Sequence, residues 1–137
     1  MKRWSSAPKY GNTKIVTSEG TFDSKKEFDR YCVLRILSRA GEIKDLDRQV
    51  TFPLIPAQRE KIGVYKSGAR KGQPKEGRVI ERSVTYVADF VYTVTKTGER
   101  VVEDVKGYRD PASAAYKVFT IKRKLMLWIH GIKIQEV

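Results

Sequence analysis

The residues of this chain best suited to chemistry lie in and just before the stretch VVEDVKG, residues 101–107. Side chains alternate along a strand, so Asp104 and Lys106 share one face with Val102, while Val101, Glu103 and Val105 share the other. Upstream, SVTYVADFVYTV carries a further acid, Asp89, in a set with Val87 and Val91. Thr95-Lys96-Thr97-Gly98 suits a hairpin turn between the two segments. With residue 96 set opposite 99, Asp89 faces Lys106 and Val91 faces Asp104. Opposed side chains then stand about 4.5–5.5 Å apart at Cβ and diagonal ones about 7–8 Å. A slip of one residue would undo this cluster. Two carboxylates and an ammonium on a half-buried face are costly unless paired or bound to metal. A buried ion-pair network would account for one Asp–Lys pair. The second Asp leaves a net negative hole that suits a hard divalent cation such as Mg2+, which takes oxygen ligands and keeps several waters. A bound water is then a nucleophile, and Lys106 would orient it or stabilise charge on a phosphate.

The elements that must position these groups follow from local signals. Lys14 to Thr17 reads as a short strand. In GTFDSKKEFDRYCVLRILSRAGEI, Asp23 or Ser24 can cap a helix and Gly41 can close it, predicting a helix over about 24–39. Phe28, Tyr31, Cys32 and Leu34 give it an apolar side. DRQVTFPLIP alternates at Val50, Phe52 and Leu54, and its prolines confine it to a sheet edge or a strand end. Residues 57–80 hold YKSGARKGQPKEGR and read as an exposed, flexible basic loop. Asp110-Pro111 suits a second helix start, with Gly131 as its end. On that helix Ala115, Val118, Phe119, Leu125, Met126 and Ile129 trace an apolar stripe, with Lys122 in its middle. IKIQEV would close the fold as a strand. The expected architecture is one α/β (α+β) domain over 1–137, a central mixed β-sheet flanked by helices, preceded by a basic arm over 1–13.

Composition narrows the partners. Of 137 residues, 28 are Lys or Arg and 16 Asp or Glu, a formal charge of +12. Such an excess favours nucleic acid or an anionic membrane surface. No apolar run is long enough to span a bilayer, and the start MKRWSSAPKYGN has no apolar stretch of a secretory signal. The single Cys32 forms no internal disulfide and has no His or Cys cluster around it, which fits a reducing cytoplasm and argues against structural zinc.

Asp89 followed some fifteen residues later by Asp104-Val105-Lys106 resembles the PD-(D/E)XK nuclease superfamily. The segments GTFDSKKEFDRY, YVADFVY, VVEDVKG and YKVFTIKRKL, in that order, are similar to small phage- and prophage-encoded endonucleases of that class. Ala88 stands where the motif's proline would be, a position the superfamily often varies. The resemblance implies a restriction-endonuclease-like core. It implies Asp89 and Asp104 as ligands of Mg2+ (or Mn2+), the Val105 carbonyl as a further ligand, Lys106 as the catalytic lysine and Glu27 as the remaining acid. Glu103 adjoins Asp104 but points the other way, and only Asp104 has the two-residue spacing to Lys106.

Rival readings stand beside these roles. Ser24-Lys25-Lys26-Glu27 is also a capping box, in which Glu27 bonds back to the helix start. Lys122 either snorkels to the helix edge or holds the scissile phosphate. Arg123 and Lys124 on that helix, and Arg70, Lys71 and Lys75 in the basic loop, would contact DNA phosphates or merely be solvated. His130 suits a helix C-terminus, Trp128 suits packing, and Trp4 and Tyr10 could stack on bases. The function expected is a metal-dependent DNA endonuclease, first a homodimeric resolvase of four-way (Holliday) junctions. The alternatives are a nicking or restriction-like enzyme on duplex DNA, and a non-catalytic DNA-binding module.

Overall fold

The computed structural model describes residues 13–107 and 110–137. The basic arm with Trp4 and Tyr10 lies outside them, apart from Thr13. Two short strands, β1 (Ile15–Thr17) and β2 (Gly20–Phe22), form a hairpin that leads into α1 (Lys25–Arg39). Then come β3 (Ile43–Ile55), β4 (Gln58–Val64), β5 (Pro74–Glu81), β6 (Val84–Val94) and β7 (Arg100–Asp104). The chain ends with α2 (Ala114–His130) and β8 (Gln135–Glu136). The main sheet has the order β3-β6-β7-β8, antiparallel except for the parallel β7–β8 pair, so it is mixed. Pro53 sits in β3, an edge strand, where a missing N–H costs no ladder bond to a further neighbour.

Each face of the sheet is covered by one helix. Tyr31 and Leu34 of α1 pack with Phe22, Phe90, Tyr92 and Val101. Phe119 and Met126 of α2 pack with Phe52, Tyr86, Ala88, Val91 and Val102 on the other side. Burying a side chain of this size stabilises by about 1.5–3 kcal/mol, so each interface is enough to dock its helix. Helix α1 starts where expected: Ser24 accepts from the Glu27 N–H at 3.1 Å. Helix α2 starts three residues later than expected. Asp110 uses its carboxylate to accept from the Ala112 N–H at 3.0 Å, forming a turn, and Ser113 is the cap. Gly131 ends the helix in the left-handed region, φ 65°, which favours glycine.

Three further expectations are corrected. Residues 57–80 are not a loop: β4 and β5 form their own antiparallel ribbon. Its exposed Ile62, Val64, Val79 and Ile80 are the strand signal that the surrounding lysines and glycines outweighed in the reading. The apolar stripe on α2 is rotated. Phe119 and Met126 are buried, but Val118, Ile129 and Trp128 are exposed, Trp128 by 87%. The β6–β7 register is Phe90↔Glu103 and Val91↔Val102, two residues from the expected pairing. A two-residue offset keeps every side chain on its face, so the shared face of Asp104 and Lys106 survives.

A candidate active site at a change of face

Asp89 lies where two strands switch face together. On β6, Tyr86 and Ala88 pack toward α2, whereas Phe90 and Tyr92 pack toward α1. Strict alternation would put all four on one side. On β3, Val50 packs toward α2, while the Arg48 guanidinium lies 3.6 Å from the Phe22 ring centroid on the α1 side. The pairing runs Arg48↔Phe90 and then Val50↔Ala88, leaving Gln49 across from Asp89 at the switch. Gln49 has φ 51°, in the left-handed region where a side chain other than Gly, Asn or Asp is uncommon. The grouping of Asp89 with Val87 and Val91 is therefore corrected: Val91 faces the α2 core, Val87 is exposed, and Asp89 points into a cleft.

That cleft has a volume of about 670 Å³. Glu27 from α1, Asp89 from β6, and Asp104, Val105 and Lys106 from the end of β7 all line it. Lys106 Nζ lies 2.7 Å from Asp104 Oδ1, and Tyr86 donates its hydroxyl to Asp104 Oδ2 at 2.8 Å. The ammonium also sits 3.7 Å from the Phe119 ring centroid, which holds it over an aromatic face. Asp89 accepts from the Val105 N–H at 2.7 Å. Gln49 donates to both Asp89, at 3.3 Å, and Glu27, at 3.2 Å, bridging the two acids. Lys26 donates to the Lys106 carbonyl and lines the same cleft.

Glu27 sits at the helix start and also lines the cleft. Its backbone N–H takes part in the Ser24 cap, and its carboxylate accepts from the Asp23 N–H at 3.3 Å. It is also 4% exposed and faces the cleft. Burial pushes its carboxyl above the ordinary range, and the nearby Asp89 charge adds to this. Asp89 is raised in the same direction, first by burial, against the opposing hydrogen bond from Val105. Burial and the Asp104 charge hold the Tyr86 phenol far above its usual range, so it stays a neutral donor to Asp104.

Glu103 points away from the cleft, as the alternation predicts. It is fully buried, accepts from Arg30 at 2.9 and 2.5 Å, and from the Tyr92 hydroxyl at 2.6 Å. It is a structural anchor between α1 and β7. Lys122 is not brought to the cleft: it is half-buried on α2, and Phe119, one turn earlier, is the residue that meets Lys106. Arg123 pairs with Glu136 at 3.3 Å, whereas Lys124 is exposed. Arg70, Lys71 and Lys75 lie at and beside the tip of the β4–β5 ribbon. His130 contacts the Pro53 carbonyl at 2.6 Å, packs on Phe52 and does not line the cleft. Gln49 and Tyr86 were missed by sequence reasoning. Their signal was positional, and needed the β3–β6 register to be read.

The donor chemistry of the cleft, carboxylates with a peptide carbonyl beside them, fits a hard divalent cation. As the side chains stand, no three acids, histidines or cysteines among the described residues are gathered closely enough to hold a metal ion. The acids instead bond within the protein, Asp104 to Lys106 and Tyr86, and Asp89 to Val105 and Gln49. Among the described residues, no helix is long and apolar enough to cross a membrane. Residues 7–134 match the family described as "Protein of unknown function (DUF1064)", and the chain belongs to it. No curated protein and no solved structure matches the chain.

Proposed function

We propose that this DUF1064 member is a divalent-metal-dependent DNA endonuclease of the PD-(D/E)XK type. The observation that supports this most is the convergence of Glu27, Asp89, Asp104, the Val105 peptide and Lys106, from three separate elements, on one cleft. The reaction is hydrolysis of a phosphodiester: a water oxygen forms the new P–O bond, one ester P–O bond breaks, and the departing oxygen takes a proton. Asp89, Asp104, Glu27 and the Val105 carbonyl would hold Mg2+ or Mn2+. When bound, the cation supplies Lewis-acid charge and a more acidic water. Lys106, its direction fixed by Asp104 and Phe119, places positive charge where the attacking water or the phosphate oxygens would lie. Tyr86 fixes one Asp104 oxygen by hydrogen bonding. Gln49 keeps Glu27 and Asp89 turned toward each other.

A substrate of branched DNA, cut by a two-fold homodimer of phage type in a bacterial cytoplasm, is the form of this activity we favour. Net charge +12 supports a nucleic-acid substrate. The apolar stripe on α2 left open by the other described residues, with Val118, Ile121 and Trp128 exposed by 53%, 59% and 87%, supports the dimer. The test is cleavage of labelled four-way junction and matched linear duplex in Mg2+, by wild type and Asp104→Ala. Symmetric cuts in the junction, reduced at least about 1,000-fold in the variant, are expected, because the variant removes a ligand and the partner of Lys106. Equal cutting of linear duplex would retain the nuclease and discard junction selectivity. Binding without cutting in either Mg2+ or Mn2+ would leave a DNA-binding module.

A further inference from the structure

The β4–β5 ribbon is an element with no task in the cleft. It is a separate two-stranded sheet that continues the β3–β6 hairpin beyond the main sheet. Its strands have 7 and 8 residues, giving a ribbon about 25 Å long at roughly 3.3 Å per residue. Almost every residue in both strands is exposed. Residues 58–82 carry eight Lys or Arg against three Glu.

The charge is also sorted by face. Arg59 lies across from Val79, Lys61 across from Glu76 and Gly63 across from Lys75, with irregularities between these pairs, so one side of the ribbon carries Arg59, Lys61 and Lys75 together with Glu76. Tyr65 continues the row, with Arg70 and Lys75 each 5.7 Å from its ring centroid. Arg59, Tyr65 and Arg70 line a cleft of about 280 Å³ there, with Glu76 as its one acid. The opposite side carries Glu60 and Ile62, packed against Gly77. Glu60 is matched by Arg78 at 3.4 Å. One face thus carries several cations, an aromatic ring and one acid, Glu76 across from Lys61, and among the described residues Arg59, Lys61, Arg70 and Lys75 form no ion pair.

We infer that this face of the ribbon is a DNA-gripping arm. It holds the phosphates of duplex DNA along a groove, outside the cleft and without reading bases. A two-stranded ribbon fits the width of the DNA major groove, roughly 12 Å. Cations at two-residue spacing lie about 6–7 Å apart, roughly twice the 3.4 Å axial rise per phosphate along one strand. The inference rests on the DNA reading above but not on cleavage.

The test measures binding of a linear duplex in EDTA at a series of salt concentrations. It compares wild type, the neutralised variant Arg59→Gln/Lys61→Gln/Lys75→Gln, and the charge-preserving variant Arg59→Lys/Lys61→Arg/Lys75→Arg. All three positions are exposed, and a thermal melt confirms that each variant is folded. The neutralised variant should bind at least about tenfold more weakly in moderate salt. Its log–log salt slope should be shallower by about 2–3, at roughly 0.9 per lost phosphate contact. The charge-preserving variant should match wild type. A wild-type slope in the neutralised variant overturns the arm while leaving the nuclease reading standing. So does a changed oligomeric state with unchanged DNA binding, which would mark the ribbon as a contact for a second copy. Salt-sensitive binding through the ribbon by a wild type that never cuts would sustain the arm and end the nuclease reading. A wild type that does not bind DNA ends both.

Discussion

At the scale of single residues, Glu27 and Asp89 form no ion pair among the described residues, although Lys25, Lys26 and Lys106 line the same cleft. Glu27 and Asp89 are both held above their ordinary carboxylate range, with burial the first cause in each. A carboxyl with a raised folded-state pKa favours folding fully below its unfolded value, near 4. That contribution is lost as pH rises through the higher folded value. At neutral pH the metal-free protein therefore carries a strain that a cation or a neutral side chain would relieve. Asp89→Asn, whose amide oxygen can still accept from Val105, should raise the melting temperature at pH 7 without divalent ions. The expected gain is roughly 3–5 °C, about 1 kcal/mol for a chain of this size. The difference should shrink toward pH 4, and Mg2+ should raise the melting point of wild type more than that of the variant. Calorimetry at pH 4 and pH 7 decides this: a variant less stable than wild type at both would contradict the charge argument.

At the scale of elements, the site depends on how α1 is held against the sheet, because α1 supplies Glu27. The buried anchor is Glu103, bound by Arg30 of α1 and Tyr92 of β6. Removing Glu103 leaves Arg30, 28% exposed, and the Tyr92 hydroxyl without their acceptor, at a cost of up to about 3 kcal/mol, the lower end for a fully buried pair. Glu103→Ala should therefore lower the urea midpoint sharply, a large fraction of the 5–15 kcal/mol typical of a domain. Replacing Arg30 and Glu103 together by methionine should recover most of that loss, since no lone charge is left behind. A double variant as unstable as Glu103→Ala would show that the pair's geometry, rather than its charge balance, holds α1 in place. The ribbon is the opposite kind of element, attached through β3 and β6 alone and free of the core. Its side chains are thus open to change without loss of the fold.

At the scale of the whole molecule, α2 presents an apolar surface that no other described residue covers. Helix α2 has two apolar sides. Phe119 and Met126 face the sheet, while Val118, Ile121 and Trp128, spaced three and seven residues apart, face outward. Trp is one of the residue types enriched at the centres of interfaces. In the proposed dimer this stripe lies at the two-fold axis, where it packs on itself. Ile121→Glu/Trp128→Glu should then sediment as a monomer with its thermal stability changed by less than a few degrees, while wild type sediments as a dimer. A monomeric wild type would remove the dimer and leave the stripe for another partner.

Much of this protein was legible in its sequence. Caps and alternation are local properties, so Ser24, Gly131 and the opposed faces of Glu103 and Asp104 could be read without the fold. The shared face of Asp104 and Lys106 is a matter of two-residue spacing alone. What the sequence could not decide depends on contacts between distant segments. The hairpin register was two residues off because turn residues do not by themselves state how many positions the turn consumes. The switch of face at Gln49 and Asp89 breaks the periodicity on which the reading depends, and it requires both strands to turn together. The ribbon was hidden because its four strand-forming apolar residues, Ile62, Val64, Val79 and Ile80, are outnumbered by lysines, arginines and glycines, and only the pairing of β4 with β5 makes them strands. Lys122 and Trp128 went astray for a related reason: periodicity finds an apolar stripe on a helix, but only packing says which side of it meets the sheet.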